Sequence, residues 1–323
     1  MSDRKRIKFN FFSMPTEGII FCVLILMCII LTMLKPAFAS GYNLSTLIRT
    51  ISWTTIVAFG QTLVLLTGGI DLSVAGIAGM SGVVSAYLIV NTNINPYICI
   101  ILVIAVAFFC GCINGILIAK MNMVPFIVTL ATGSIFTGFI YVITKGSPIL
   151  GIPENVMVIG RGMLFGVIPY PAIIMILGCI ILGYVTGYTP FGRYIYSVGG
   201  NKKAAEIAGI KCDRVIIRSY ALCSLMASVA GILITCRLGT AQPTIGADWV
   251  MPSVTAACIG GTSLAGGRGK IIGALVGGVF MGVISNAITI LAISTYWELV
   301  ITGFVILIAI AIDRLKALRN HEI

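Results

Sequence analysis

The chain has 323 residues, of which 59% are hydrophobic and only 10% are charged, and its formal net charge is +11. Because soluble domains carry about 25% charged residues, this chain cannot cover itself with a hydrated surface, so lipid is its expected solvent. The same composition excludes disordered proteins, and it excludes nucleic-acid-binding proteins despite the positive charge.

Cysteine and histidine usage argues against metal, redox and hydrolytic chemistry. Ten cysteines are scattered mostly through apolar segments without a Cys-x-x-Cys spacing, as expected of small core residues rather than of disulfides or metal ligands. The only histidine, His321, lies in the tail. We therefore predict that the chain is not an enzyme and holds no metal or cofactor of its own.

The first apolar run, Gly18–Leu34, follows the basic residues Arg4, Lys5, Arg6 and Lys8. It resembles a secretory signal peptide, but its length exceeds the usual core of about 7–15 residues, so we expect a retained first span. About 20 apolar residues are needed to cross the hydrocarbon core. The sequence therefore predicts an all-α integral membrane protein, a single domain over residues 1–323. About ten spans are expected, at 17–34, 45–67, 72–90, 96–119, 124–144, 171–187, 214–236, 250–266, 271–292 and 295–312.

The distribution of Lys and Arg orients these spans. With an even number of spans both ends share one side, and placing them in the cytoplasm puts sixteen basic residues inside against five outside. The five outside residues are Lys35, Arg49, Lys145, Arg161 and Arg237. Because cytoplasmic loops carry the excess of Lys and Arg, both termini are predicted to be cytoplasmic. The Pro- and Gly-rich segment 145–170 is then the longest external loop.

A first interruption of the apolar pattern, Gly68-Gly69-Ile70-Asp71-Leu72-Ser73, separates the second span from the third. A carboxylate near membrane depth is costly and normally has a partner or a function. Asp71 and Ser73 can bond the free backbone N–H groups that open the third span, where the helix dipole also favours negative charge. We therefore favour a helix cap, with a gating hinge at the helix break or an ion pathway as alternatives.

The longest polar interval after residue 20 lies between residues 188 and 218. Asn201 is a good N-cap, Ala204–Ala208 favour helix, and Gly209 suits the position just past a helix end. These residues predict a helix of about two turns, which is too short to persist alone in water. It is expected either to dock on a partner or to belong to a solvated loop whose charges set the orientation.

A second interruption covers residues 260–270 and is rich in glycine. Its glycines are Gly260, Gly261, Gly266, Gly267 and Gly269. A phosphate-loop interpretation fails because Leu264 stands where the first Gly is required, Ile271 replaces the Ser or Thr, and no strand precedes it. We predict a cytoplasmic turn without a nucleotide site, so any ATP must be hydrolysed by a partner.

Three stretches together make the chain resemble the permease subunit of bacterial ABC sugar importers of the ribose, xylose, galactose and autoinducer-2 type. They are Gly68–Ser73; Phe191–Asn201 with Ala204-Ala205 and Gly209-Ile210; and Gly260–Gly267 with Gly269. Ala241-Gln242-Pro243 also fits the ribose-type pattern, and the resemblance extends over essentially the whole chain. Lys202-Lys203 departs from it, because an acidic residue often stands there.

The resemblance implies a fold similar to the vitamin B12-importer (type II) permease, working as two permease copies with two ATPase subunits. A sugar-binding protein would deliver substrate, and ATP and Mg would bind to the ATPase. Residues 188–213 would be a cytoplasmic coupling loop between two five-helix halves. The coupling residues that it implies are Gly192, Arg193, Gly199, Gly200, Asn201, Ala204, Ala205, Glu206 and Gly209. The two interruptions would be gating or structural turns.

We therefore expect a permease of the bacterial inner membrane that carries ribose or a related small sugar by alternating access. Its spans offer few polar side chains for a passage. The candidates are Gln61, Asn114, Thr129, Thr137 and Asn286, each of which suits a helix–helix hydrogen bond better. The alternative hypothesis is an ion-coupled secondary transporter, which also has broken helices but more naturally buries acids near the midplane.

Overall fold

The computed structural model describes residues 16–294 and, farther on, 296–297, 300–301, 303–304, 307–308 and 311. Residues 16–294 are mostly helical. The helices are α1 (Thr16–Leu34), α2 (Gly41–Leu66), α3 (Val74–Asn91), α4 (Pro96–Lys120), α5 (Pro125–Thr144), α6 (Glu154–Arg161), α7 (Tyr170–Tyr188), α8 (Pro190–Gly200), α9 (Lys202–Ile207), α10 (Cys212–Leu238), α11 (Val250–Ile259) and α12 (Ile271–Ile290). A 3-10 helix, Pro36–Ala39, joins α1 to α2, and strands β1 (Met163–Leu164) and β2 (Ile168–Pro169) form an antiparallel hairpin.

Six described helices are long and apolar enough to cross a membrane: α3, α4, α5, α7, α10 and α12. The expected all-helical membrane architecture is thereby confirmed. The predicted first span coincides with α1. The tenth, 295–312, lies partly outside the described residues, so the count of ten spans stays a prediction. The basic residues that precede residue 16 lie outside the described residues altogether.

Helix α2 has 26 residues and includes polar side chains such as Arg49 and Gln61. It tolerates them because it lies inside the bundle, where its side chains are buried almost continuously from Trp53 to Leu66. It packs against α10, α12, α11 and α7. Most of α2 is therefore surrounded by other parts of the protein rather than by lipid.

Helix α10 forms the centre of the bundle together with α2, and it also packs against α3 and α4. Its contact with α4 is close because two glycines of α4 face it. A Cβ at Gly111 would lie 2.5 Å from the carbonyl oxygen of Tyr220, and one at Gly115 would lie 2.5 Å from the Cα of Ile217. Small residues allow membrane helices to approach in this way, so the centre of the bundle is packed backbone to backbone.

The predicted eighth span, 250–266, is helical only over Val250–Ile259. Helix α11 has ten residues, about 15 Å, which is half of the thickness that a span must cross. It ends because the Gly261 N–H donates to the carbonyl of Cys258 and the Thr262 N–H donates to that of Ala257, which closes the last turn. The residues that follow form a loop packed against the other helices.

The segment 145–170 is more ordered than the Pro- and Gly-rich loop that the sequence predicted. It contains α6 and the β1–β2 hairpin. Helix α6 packs on α10, where a Cβ at Gly160 would collide with the backbone nitrogen of Arg237. Ile149 and Ala241 exchange two backbone hydrogen bonds of 3.0 Å each. The segment therefore covers the end of α10 as a fixed cap.

Candidate functional site

The polar interval after α7 contains two helices rather than the single one that the sequence predicted. The first, α8, begins at a cap and a helix-starting proline: the Thr189 hydroxyl accepts from the Gly192 N–H at 3.3 Å, and Pro190 occupies the first helical position. Gly192 is buried against the Thr186 carbonyl, whereas Arg193 is exposed. The Thr-Pro pair was the available sequence signal for α8.

The second helix, α9, matches the prediction closely. The Asn201 side chain accepts from the Ala204 N–H at 3.0 Å. At the other end Gly209 has φ +82°, and the N–H groups of Gly209 and Ile210 donate to the carbonyls of Glu206 and Ala205, which is the bonding pattern of a Schellman end. Six residues form the helix.

The outer face of α9 is exposed. Ala205 is the buried residue of this helix, whereas Ala204 and Glu206 are exposed and Ile207 has 91% of its surface exposed. The exposed pair Lys202–Glu206, at 3.9 Å, adds little stability. A short helix with a large apolar side chain pointing outward is suited to docking in a groove.

The three glycine-containing stretches meet at one place, which we call the glycine junction: residues 66–68, 199–200 and 266–267. The Gly267 N–H donates to the Leu66 carbonyl at 3.0 Å. A Cβ at Gly199 would collide with that same carbonyl oxygen. Gly266, at φ +89°, is so close that a Cβ would lie 2.9 Å from both the Gly199 carbonyl oxygen and the Gly68 nitrogen. Backbone therefore meets backbone from three distant parts of the chain.

The loop 260–270 is also tied to α8 by a side chain. The Tyr196 hydroxyl donates to the Gly269 carbonyl at 2.9 Å. Burial raises the pKa of the Tyr196 phenol above its ordinary value, so the group stays protonated and keeps its donor. A Cβ at Gly269 would lie 2.6 Å from the Thr262 hydroxyl, and one at Gly260 would collide with the Gly273 backbone. Sequence reasoning did not single out Tyr196.

Replacing Tyr196 with Phe should lower stability modestly. The change removes one partly buried hydrogen bond, worth about 1 kcal/mol, and leaves the Gly269 carbonyl without this donor. We expect the thermal midpoint of the detergent-purified protein to fall by about 2–4 °C. Tyr188→Phe, at the exposed end of α7, is the control. Equal midpoints for the two variants would contradict the contribution of this bond.

The break between α2 and α3 is held by Asp71, although not as a simple helix cap. Its Oδ1 accepts from both the backbone N–H (2.9 Å) and the hydroxyl of Ser73. Ser73 occupies the cap position of α3 but makes no side-chain cap bond. The prediction that Asp71 would bond a free N–H at the start of the third span is confirmed, and the same prediction for Ser73 is wrong, because its hydroxyl is engaged by Asp71.

Buried polar side chains from α2, α4 and α10 converge on this break. The Gln61 amide donates to the Asp71 carbonyl, and the Asn114 amide donates to the Ser73 hydroxyl at 2.9 Å. The Tyr220 hydroxyl donates to the Ile70 carbonyl at 3.3 Å. Sequence reasoning missed Tyr220, because no local pattern indicates that it reaches a break about 150 residues earlier in the chain. The break is therefore a cross-linked element of the core.

The predicted passage residues differ in their environment. Gln61, Asn114 and Thr129 are fully buried, and their hydrogen bonds lie within the bundle. Thr137 is exposed on α5 and bonds its own helix, while Asn286 on α12 exchanges amide bonds of 2.9 and 3.1 Å with Asn43. The structure does not bring the five together, and their role in a passage stays a prediction.

Comparison with known proteins identifies a family that the chain matches. A family model described as "Branched-chain amino acid transport system / permease component" matches residues 43–310. The chain is 43% identical over 299 residues to the ribose import permease protein RbsC of Bacillus subtilis, covering 92% of each chain. It is 36% identical to RbsC of Escherichia coli K12, over 91% of this chain and 92% of that one. The D-allose transport system permease protein AlsC of the same strain is 33% identical, over 97% and 96%. No solved structure matches the chain.

Proposed function

We propose that this chain, which belongs to the family of branched-chain amino acid transport system permease components, is the membrane permease subunit of an ATP-driven importer for ribose or a related monosaccharide. The sugar assignment follows the relatives, which are named for the import of ribose, fructose and galactose and for the transport of D-allose. The chain would form the translocation path, and a separate ATPase would hydrolyse ATP.

The glycine junction is the observation that carries the coupling mechanism. Helices α8 and α9 lie on one side of it, and the break between α2 and α3 lies on the other. Because the contacts are between backbones, no flexible side chain is present to absorb a displacement, and packed interiors transmit strain. A displacement of α9 would therefore be transmitted to the end of α2 and to the loop 260–270 with little attenuation.

The partners follow from the proposed geometry. A groove of the ATPase would receive the exposed face of α9, including Ile207, and would bind ATP and Mg. A sugar-binding protein would deliver substrate at the face that carries α6 and the hairpin. A second permease copy would complete the path, and both termini would lie in the cytoplasm, as the positive-inside bias predicts.

The docking proposal predicts that Ile207→Asp abolishes co-purification of the ATPase and leaves the permease folded. The side chain is almost fully exposed, so a charge at this position costs little within the chain but opposes burial in an apolar groove. The measurement is the ATPase-to-permease ratio after affinity purification from native membranes.

Leu150→Asp is the matched control, because Leu150 is an exposed apolar residue of the 145–170 segment, far from α9. The ratio should stay at the wild-type level for Leu150→Asp and fall at least tenfold for Ile207→Asp. An unchanged ratio for Ile207→Asp would argue against docking through α9.

A further inference from the structure

A cavity of about 830 Å³ lies where the start of α2 meets α6, the hairpin and the end of α10. Arg49, Arg161 and Arg237 line it. These are three of the five basic residues that the positive-inside bias leaves on the predicted outer face. Charges that are rare on this face are thus gathered at a single cavity.

Backbone carbonyls hold two of the three arginines in place. One terminal nitrogen of Arg49 donates to the carbonyls of Gly160 (3.2 Å) and Arg161 (2.8 Å). Arg161 donates to the carbonyls of Arg237 (2.7 Å) and Leu238 (2.9 Å). These bonds fix the side chains but bring no negative charge. Since each guanidinium has five N–H donors, donors remain for a ligand.

No ion pair joins Arg49, Arg161 or Arg237 to a carboxylate of the described residues. Arg237 stacks over the Trp53 ring at 5.0 Å instead, and it is near enough to Arg49 for mutual repulsion. Arg49 is buried, Arg237 is half-buried and Arg161 is exposed. Like charges held close together without a counter-charge repel each other, and the cost is greatest for the buried Arg49. An anion in the cavity would relieve this cost.

The surroundings of the cavity favour a lipid as the source of that anion. Tyr42 at its rim and Phe165 and Val167 on the hairpin are 86%, 88% and 73% exposed. Exposed aromatic and apolar side chains beside arginines are typical of the interface between lipid headgroups and acyl chains. Arg49 lies eight residues into α2, about 12 Å from its start, so the cavity reaches between membrane helices.

We propose that this cavity binds the phosphate of an anionic phospholipid headgroup, with the acyl chains lying along the exposed apolar residues of the hairpin. Arginine recognises phosphate through paired, charge-assisted hydrogen bonds. Three guanidinium groups provide both the charge and the donors.

The test uses the full-length protein, delipidated in detergent, and titrates it with short-chain phosphatidylglycerol, short-chain phosphatidylcholine or inorganic phosphate. Native mass spectrometry gives the bound lipid, and the thermal midpoint gives its effect on stability. Phosphatidylglycerol should bind and raise the midpoint. The Arg161→Gln variant should bind phosphatidylglycerol at least tenfold more weakly than the wild type, and Arg161→Lys should bind it with intermediate affinity. Lys145→Gln, which removes a charge of the same predicted face outside the cavity, should bind like the wild type.

A second variant is needed as a control, because Arg161→Gln also removes two hydrogen bonds to the end of α10 and could destabilise the fold. Tyr42→Ala changes an exposed side chain at the rim, and it should weaken lipid binding several-fold without moving the midpoint of the lipid-free protein. Equal binding of phosphatidylcholine, equal affinity of Arg161→Gln and wild type, or full protection by inorganic phosphate alone would overturn the proposal. It would also be overturned if Arg161→Gln impaired binding of an acidic delivery protein and left lipid binding intact.

Discussion

Gly199→Ala is expected to abolish sugar uptake and to lower the thermal midpoint of the purified permease. The added methyl group would collide with the Leu66 carbonyl and would lie 2.5 Å from the Gly267 nitrogen. Overpacking typically costs about 1–3 kcal/mol, and here the obstructing atoms are backbone and cannot rotate away. The change would separate α8 from the α2 end and break the proposed transmission path.

The matched control is Gly187→Ala, near the end of α7, where a Cβ would meet nothing within 4 Å. It adds the same methyl group near the end of the apolar helix that precedes this polar interval, and uptake should remain at the wild-type rate. A Gly199→Ala protein that keeps its ATPase but no longer transports would assign the junction to transmission rather than to docking. Wild-type uptake and midpoint for Gly199→Ala would show that the junction is not close-packed.

The second large effect is expected at Asp71, where the outcome depends on the replacement. Asp71→Leu removes the acceptor for the Ser73 N–H and hydroxyl. Leaving a buried polar group without a partner costs about 1–3 kcal/mol, and the cross-linked break should loosen. We expect uptake to be lost and the thermal midpoint to fall.

Asp71→Asn is the informative comparison, because an amide oxygen can replace Oδ1 while the carboxylate charge disappears. We expect uptake within about twofold of the wild type, since a structural acceptor needs no proton exchange. The measurement is the initial rate of labelled sugar uptake by both variants at equal expression. A folded Asp71→Asn protein that fails to transport would mean that an ionisable group is required, as in an ion-coupled transporter.

Local features of the coupling segment could be predicted from the sequence because they depend on neighbouring residues. Asn201 caps α9 and Gly209 ends it through bonds that reach no farther than five residues along the chain. The apolar spans could also be predicted, since the length and hydropathy of a segment determine whether it can cross a membrane. Helix α8 was missed because its glycines disfavour helix, and its packing on the junction outweighs that preference.

Contacts between distant stretches could not be predicted. Nothing in the local pattern of residues 66–68 or 266–267 indicates that they meet at Gly199, because the contact is made by tertiary packing over more than 60 intervening residues on either side. The end of the predicted eighth span was missed although the turn bonds at Gly261 and Thr262 that set it are local, because the residues of α11 and those that follow have the composition of a membrane helix. The arginine cavity likewise joins residues of α2, α6, the hairpin and α10.

Uptake of labelled ribose by proteoliposomes tests the central claim most directly. The vesicles would contain this permease with its ATPase, and the sugar-binding protein would be added outside. We expect uptake that requires ATP inside and the binding protein outside, and that persists when ionophores dissipate proton and sodium gradients. Uptake by the permease alone, driven by an ion gradient and abolished by those ionophores, would contradict it.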